Sequence, residues 1–375
     1  MPGELAVSVT TERPVSGHTR APHVCLITGG GDAPGLNAAT RAFVRVARPR
    51  GVRVSASRYG FEGLLGRADV IPLEEADVAG ISSRAGSILG CSTISDPFSQ
   101  TRPSQSIRLL DSRLGDLGMD GLVLAGGDGT MQIARELVAR GFRCIGIPKT
   151  IDGDLPGTER TCGLDTAIAA ATSAIDALHA TAEAHRRVMI LEVMGRAAGW
   201  IALAAGVAGG ADVALIPEIP YDPGRVVAKI RAREALGRSF SIVVVGEGAR
   251  AIGGAPSEVA PAAQGQPARL GGAGEQLAHL IGGYNLGHDV RVTVLGHLQR
   301  GHAPTASDRL LGTRLGAHAA DLCAEGRFGR MVVLRGEEVD SIAFSDLPAG
   351  RRLVDAEGSL VRCARALGIE LGAPG

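Results

Sequence analysis

Aromatic side chains are scarce in this chain of 375 residues: they make up 3%, with a single Trp and three Tyr. A core without large rings must be closed by small aliphatic side chains and close backbone approach, in keeping with 54 glycines and abundant alanine. Cysteine is sparse too, and Cys25, Cys91, Cys144, Cys162, Cys323 and Cys363 form no C-x-x-C pair and no metal-like spacing. This argues against a disulfide framework and for a reduced intracellular compartment. Net charge is absent, with 39 basic against 39 acidic residues, so no global field draws the chain to nucleic acid or to an anionic membrane. No apolar run is long enough to span a bilayer, and residues 1–20 lack the apolar stretch of a signal peptide. The expectation is a cytoplasmic protein with a loose tail over residues 1–20, in which any anion site is local.

What is present suits a globular enzyme-sized chain. Hydrophobic residues reach 45% and charged ones 21%, and 375 residues exceed one core, so two domains are expected. Short β-rich runs predict strands at 24–28, 52–57, 121–125, 142–146, 188–193, 213–217, 240–246, 291–295 and 331–334. Helical periodicity predicts helices at 36–47, 131–140, 165–185, 196–207, 225–236, 274–282, 307–323 and 357–367. Ser307 reads as an N-cap, and Gly141 as a positive-φ residue closing the helix before it. Residues 59–66 and 249–272 read as loops, the latter exposed, while the Gly- and Ser-rich stretch 81–98 resists assignment. The alternation predicts an α/β fold with parallel sheets covered by helices on both faces, built twice.

The chemistry concentrates in I-P-K-T-I-D-G-D at 147–154, read as a loop after a buried strand. It carries Lys149, Thr150, Asp152 and Asp154, and ligands of open parallel sheets bind at the carboxyl ends of strands. On its own the stretch is equally a solvated turn. Two Gly-rich turns between strand and helix add weight, G-G-G-D-A-P-G at 29–35 and G-G-D-G-T at 126–130, since such turns bring backbone N–H groups close to phosphate oxygens. Asp128 in the second is placed to hold Mg2+, which needs only one or two carboxylates. Phosphoryl transfer to an alcohol needs a carboxylate to take the hydroxyl proton and cations to neutralise the phosphoryl oxygens. Asp152 fits the first role, with Thr150 and Asp154 pointing the same way if the segment is extended, and Lys149 the second. Basic residues at other strand ends, namely His185–Arg187, Arg196, Arg291, His297 and Arg300, suggest a phosphorylated substrate.

Taken in order, T-G-G-G-D-A-P-G-L-N-A at 28–38, G-G-D-G-T, P-K-T-I-D-G-D at 148–154, H-R-R and E-V-M-G-R within 185–196, G-E-G at 246–248 and V-L-G-H-L-Q-R-G at 294–301 resemble the 6-phosphofructokinase family. The resemblance implies phosphoryl transfer from a donor to the 1-hydroxyl of fructose 6-phosphate, with Asp152 as base beside Thr150 and Asp154. It implies Asp128 as the Mg2+ carboxylate, and Gly30, Gly127, Gly129, Thr130 and Lys149 around the donor. Met194, Gly195, Arg196 and Glu247 would hold the sugar, with Arg196 also stabilising transferred charge. His297 and Arg300 would hold the 6-phosphate, and Arg187 and Arg291 would reach it from a neighbouring subunit, hence a homo-oligomer, a tetramer or dimer. The implied architecture is a donor domain of residues 21–160 plus 299–345 and a sugar-phosphate domain of 161–298 plus 346–375, with the active site in the cleft.

The donor is read as ATP, because Gly129 leaves open the space that Asp fills in pyrophosphate-using relatives, although Lys149 is typical of those relatives and of a mixed group. A pyrophosphate-dependent enzyme, a kinase of another sugar phosphate such as sedoheptulose 7-phosphate, and a non-catalytic phosphosugar sensor are the alternatives. Three departures from the family pattern weaken the carry-over, and two of them, Thr93 and Gly153, motivate the sensor reading. Thr93 stands where an arginine usually bridges donor and acceptor, a loss worth ~10² or more in rate. Gly153 replaces Asn, which is expected to loosen the loop, and His302 enters near the phosphate site. Arg41, Arg45, Asp212 and His179 match parts of a nucleotide effector site.

Overall fold

The computed structural model describes residues 21–98, 103–261 and 268–373, so the expected N-terminal tail lies outside the described residues. The first part of the chain contributes strands β1 (His23–Thr28), β2 (Arg53–Ser57), β3 (Val70–Pro72), β4 (Gly121–Gly126), β5 (Cys144–Thr150) and β6 (Cys162–Gly163), with helices α1 (Leu36–Ala47), α2 (Pro103–Asp116) and α3 (Asp128–Ala139). The second contributes helix α4 (Leu164–His185), β7 (Val188–Val193), α5 (Trp200–Ala208), β8 (Val213–Leu215), α6 (Pro223–Ala235), β9 (Ser241–Gly246), a hairpin β10 (Glu258–Ala260) and β11 (Arg269–Leu270), α7 (Ala273–Gly282) and β12 (Val290–Val294). Helices α8 (Leu298–Gly301) and α9 (Ala306–Ala324) lead back to β13 (Arg330–Arg335) and β14 (Glu338–Ala343), and α10 (Ser359–Ala366) follows.

Two sheets result. The larger runs β14-β13-β5-β4-β1-β2-β3, parallel from β13 to β2 with antiparallel edges, and β6 joins beside β5. The smaller is an all-parallel β12-β7-β9-β8. Strands β1, β4, β7 and β9 are buried along their whole length, as the unbroken apolar runs require when helices cover both faces. Each sheet has a core on either face, and those cores are dominated by Val, Ile, Leu and Ala with few rings.

Several expectations need correction. Strand β5 extends to Thr150, so Lys149 and Thr150 belong to the strand and the loop begins only at Ile151. Helix α3 begins at Asp128, which puts Asp128, Gly129 and Thr130 in its first turn, where a carboxylate meets the positive end of the helix dipole. The N-cap of α9 is Thr305, whose hydroxyl accepts from Asp308 N, and Ser307 already lies inside the helix. Helix α5 starts at Trp200, not at Arg196, because Gly195 and Arg196 both take positive φ. The stretch 249–272 is not simply an exposed loop: Ala249 is buried and the β10–β11 hairpin forms within it, while 262–267 lie outside the described residues. Helix α2 has no counterpart among the expected helices; it buries only Leu110 and Leu114, too narrow an apolar stripe to read. Gly141 does take positive φ, at 87°.

Scarcity of rings is met by helix contact through glycine. A Cβ at Gly316 of α9 would lie 2.2 Å from the Ala39 carbonyl oxygen of α1, and one at Gly312 2.7 Å from that of Gly35. Backbone cannot yield as a side-chain tip can, so Gly316→Ala is expected to destabilise by about 1–3 kcal/mol. Gly115, in α2, faces open space, and Gly115→Ala should stabilise by about 0.4–1 kcal/mol. Thermal unfolding of the two variants checks both signs.

Candidate active site

Parallel pairing of β1, β4 and β5 brings three strand ends to one edge, with Thr28 opposite Ala125 and Gly126 opposite Pro148. The turn after β1, the start of α3 and the end of β5 therefore lie side by side, as open parallel sheets place their sites. Gly29 N donates to the Ala125 carbonyl at 3.0 Å and Gly30 N to the Ser92 carbonyl at 3.0 Å, while Gly30 takes φ 72°. Thr130 packs into this turn: a Cβ at Gly29 or Gly126 would lie 2.6 or 2.3 Å from its Oγ1, so both positions need glycine. Gly129 is different, because a Cβ there meets nothing within 4 Å.

Lys149 is only 2% exposed, and its Nζ donates to the Gly29 carbonyl at 2.8 Å and to the Gly31 carbonyl. Burial pushes its ammonium below the ordinary lysine range, and the nearby Arg300 charge adds to that. Its charge is thus committed to fixing the Gly-rich turn. Arg300 lies on the same turn, with Nη1 donating to the Asp32 carbonyl at 2.7 Å and the guanidinium stacked against Gly31.

Beyond β5 the backbone turns instead of extending, because Thr150 Oγ1 accepts from Asp152 N at 3.1 Å. Asp152 is 6% exposed and its Oδ1 has no hydrogen-bond partner, an unusual state for a buried carboxylate. Asp154 feels both Asp152 and Asp128, and its carboxyl is pushed up to about 6, by burial first and then by Asp152, with Arg351 opposing. Asp128 Oδ2 accepts from Gln132 Nε2 at 2.9 Å. Among the described residues no group of three His, Cys, Asp or Glu is arranged to hold a metal alone. A largely hydrated Mg2+ taking one carboxylate plus ligand phosphates fits Asp128, at the edge of this acidic cluster.

Glu247, the residue after β9, accepts through Oε1 from Arg196 N at 2.9 Å and Gly195 N at 3.3 Å. Burial raises the Glu247 carboxyl, and the Asp152 charge adds to the rise. Arg196 holds φ 53°, a left-handed conformation uncommon for a branched or long side chain, and its side chain is exposed. Met194 is half-buried beside it. His297 opens α8 and lines, with Leu295, Leu298 and His302, an open depression of about 700 Å3. Arg187 and Arg291 converge on one carboxylate, Asp289, at 3.1 and 2.9 Å, at an exposed part of the surface. The structure thus brings together Gly30, Gly127–Thr130, Lys149–Asp154 and Arg300 on one side and Met194–Arg196 and Glu247 on the other, and leaves Arg187 and Arg291 as a separate pair.

One reading changes on this geometry. Gly153, at φ 68°, does not loosen the loop: Arg352 Nη1 donates to its carbonyl at 3.0 Å and Arg352 N to that of Asp154 at 2.8 Å. Arg352 is itself fixed over the Trp200 ring at 4.0 Å, and the Trp200 indole donates to its carbonyl at 3.0 Å. Its neighbour Arg351 stands 3.6 Å from Asp154 and 3.8 Å from Asp128. Neither arginine was singled out in the sequence, where G-R-R-L at 350–353 looks like any solvated basic pair. Of the four residues matched to an effector site, Asp212 pairs with Arg233 at 2.6 Å and accepts from Ile242 N, His179 Nε2 lies 2.9 Å from the Gly209 carbonyl, and the exposed Arg45 stands 3.8 Å from Glu75. Thr93 is exposed next to Ser92, which bridges to Gly29 in the turn after β1.

A profile of the phosphofructokinase family matches residues 23–323. An ATP-dependent 6-phosphofructokinase from Chloroflexus aggregans is 48% identical over 92% of this chain and 97% of its own. A pyrophosphate–fructose 6-phosphate 1-phosphotransferase from Streptomyces coelicolor is 44% identical over 88% of this chain and 96% of its own. The solved phosphofructokinase from Saccharomyces cerevisiae is similar at TM-score 0.73 and 29% identity, over 87% of this chain and 45% of that one.

The raised Asp154 carboxyl makes stability depend on pH. Between the ordinary aspartate range and about 6 the folded chain binds the proton more tightly than the unfolded one, so stability falls as pH rises through this window. Above pH 7 the buried charge costs roughly 2–3 kcal/mol at 1.36 per pKa unit. Asp154→Asn is expected to raise the thermal midpoint at pH 7.5 and to do so far less at pH ~4, near the ordinary aspartate range. Equal shifts at both pH values would contradict the assignment.

Proposed function

The chain belongs to the phosphofructokinase family, and from that premise we propose that it moves the γ-phosphoryl of ATP to the 1-hydroxyl of fructose 6-phosphate, with Mg2+, giving fructose 1,6-bisphosphate. The observation that carries the reading is the unpartnered Oδ1 of buried Asp152. A buried carboxylate oxygen without a donor is ready to take one from a substrate, and the 1-hydroxyl is that donor. Asp152 accepts its proton as the oxygen attacks. Thr150, which closes the turn with Asp152 N, fixes where that oxygen points.

Asp128 would hold the metal, which would supply positive charge to the donor's phosphate oxygens when bound. Gly30, Gly127, Gly129 and Thr130 line the donor's approach, and Arg196 reaches the transferred group from the sugar side. Glu247, having fixed the turn at Gly195 and Arg196, takes the sugar hydroxyls together with Met194. His297 and Arg300 bind the 6-phosphate, Arg300 by exchanging the Asp32 carbonyl for it. Arg187 and Arg291, sharing Asp289 at an exposed part of the surface, complete it in a partner copy, which calls for a homo-oligomer. The donor domain comprises 21–160 and 299–345, the sugar domain 161–298 and 346–375, with the cleft between. Among the described residues no helix is long and apolar enough to cross a membrane, and we assign the enzyme to the cytoplasm.

Two observations favour ATP over pyrophosphate. A Cβ at Gly129 would meet open space, so a nucleotide's α-phosphate has room there. Lys149, the residue that left the donor open, has its ammonium committed to the Gly29 and Gly31 carbonyls. Replacing the base tests the assignment. Asp152→Asn is expected to lower kcat by about 10²–10⁴ while fructose 6-phosphate still binds, measured by coupled assay and by calorimetry. Turnover within a few-fold of the parent would remove Asp152 from the role.

A further inference from the structure

Arg351 is a cation in an acidic place. Its Nε stands 3.6 Å from Asp154 Oδ2 and 3.8 Å from Asp128 Oδ2, and among the described residues no other Lys or Arg forms an ion pair with either carboxylate. Asp128 Oδ2 and Asp154 Oδ2 thus both lie within 4 Å of one nitrogen, and without a cation there the two carboxylates repel each other. Arg351 supplies that cation from a segment whose neighbour, Arg352, is anchored to the loop by two hydrogen bonds and to Trp200 by stacking. The two arginines differ in freedom: the Arg351 side chain is 37% exposed and its contacts are long, so it is restrained by charge alone.

We propose that Arg351 is a positioning residue, the resident counter-cation that holds Asp128 and Asp154 together until the metal–donor complex arrives and that gives up Asp128 when it does. The inference rests on Asp128 being the metal carboxylate. Arg351 and a divalent ion compete for the same oxygens, and two cations at one carboxylate repel, so Arg351 weakens metal binding in the absence of nucleotide. Its long, half-exposed side chain lets it withdraw without moving the backbone that Arg352 fixes.

Titration of Mn2+ into the nucleotide-free protein, followed by the resonance of free Mn2+ and by thermal midpoint, reads this directly. Arg351→Gln should bind Mn2+ about three- to tenfold more tightly than the parent. Its midpoint should be lower in a chelator and gain more on adding Mn2+. Arg351→Lys, which keeps the charge, should stay within about twofold of the parent. Unchanged or weaker Mn2+ binding in Arg351→Gln would overturn the exchange, since a purely structural arginine would lower the midpoint without improving metal affinity. Loss of the underlying assignment has a separate signature: Mn2+ binding undiminished in Asp128→Asn removes the metal carboxylate itself, and the exchange with it.

Discussion

The ammonium of Lys149, shut away from water, donates hydrogen bonds to the carbonyls of Gly29 and Gly31, and the geometry of the site hangs on that contact. A buried cation is tolerated only when hydrogen-bonded, so the lysine cannot leave the turn without a penalty of several kcal/mol. It therefore fixes where the backbone N–H groups after β1 stand relative to the end of β5. Neighbouring glycines follow from the same constraint: Thr130 fills the space that Gly29 and Gly126 vacate, and Gly30 takes the left-handed backbone that the turn needs. A residue first read as charge for a substrate phosphate is in this way part of the scaffold.

The acidic side of the site is held by different means. Three aspartates at the edge of one sheet repel each other, and burial raises the carboxyl of Asp154 further. Two adjacent arginines from the C-terminal segment counter this. Arg352 holds the backbone of Gly153 and Asp154, and Arg351 holds the charge. The same segment is tied to the second core, since Glu218 Oε1 accepts from Val354 N at 2.8 Å and Oε1 and Oε2 accept from Gly199 N at 2.9 and 3.1 Å. The loop that carries the proposed base is thus clamped from both sheets, and the missing Asn at Gly153 removes a side chain without releasing the backbone.

How much of this was legible in the sequence depends on the range of the interactions. Buried parallel strands announce themselves as apolar runs, so β1, β4, β7 and β9 fall where they were expected, and Gly141 was readable from its place after a helix. The motif residues around Asp128, Asp152 and Glu247 were legible because their chemistry is local and ordered. Edge strands β3 and β14 and helix α2 were not, since each buries too little to leave a period. The direction of Asp152 also escaped, because Thr150 turns the chain where an extended segment was assumed. Arg351 and Arg352 lie about 200 residues from the loop they serve, and nothing in G-R-R-L marks a contact across that distance.

The central claim is that this site transfers the γ-phosphoryl of a nucleotide to a sugar phosphate. Phosphorus resonance of the purified protein with Mg2+ and fructose 6-phosphate, given either ATP or pyrophosphate, tests it most directly. The account predicts ADP and fructose 1,6-bisphosphate appearing together with ATP, and no bisphosphate with pyrophosphate. Turnover with pyrophosphate and none with ATP would contradict it.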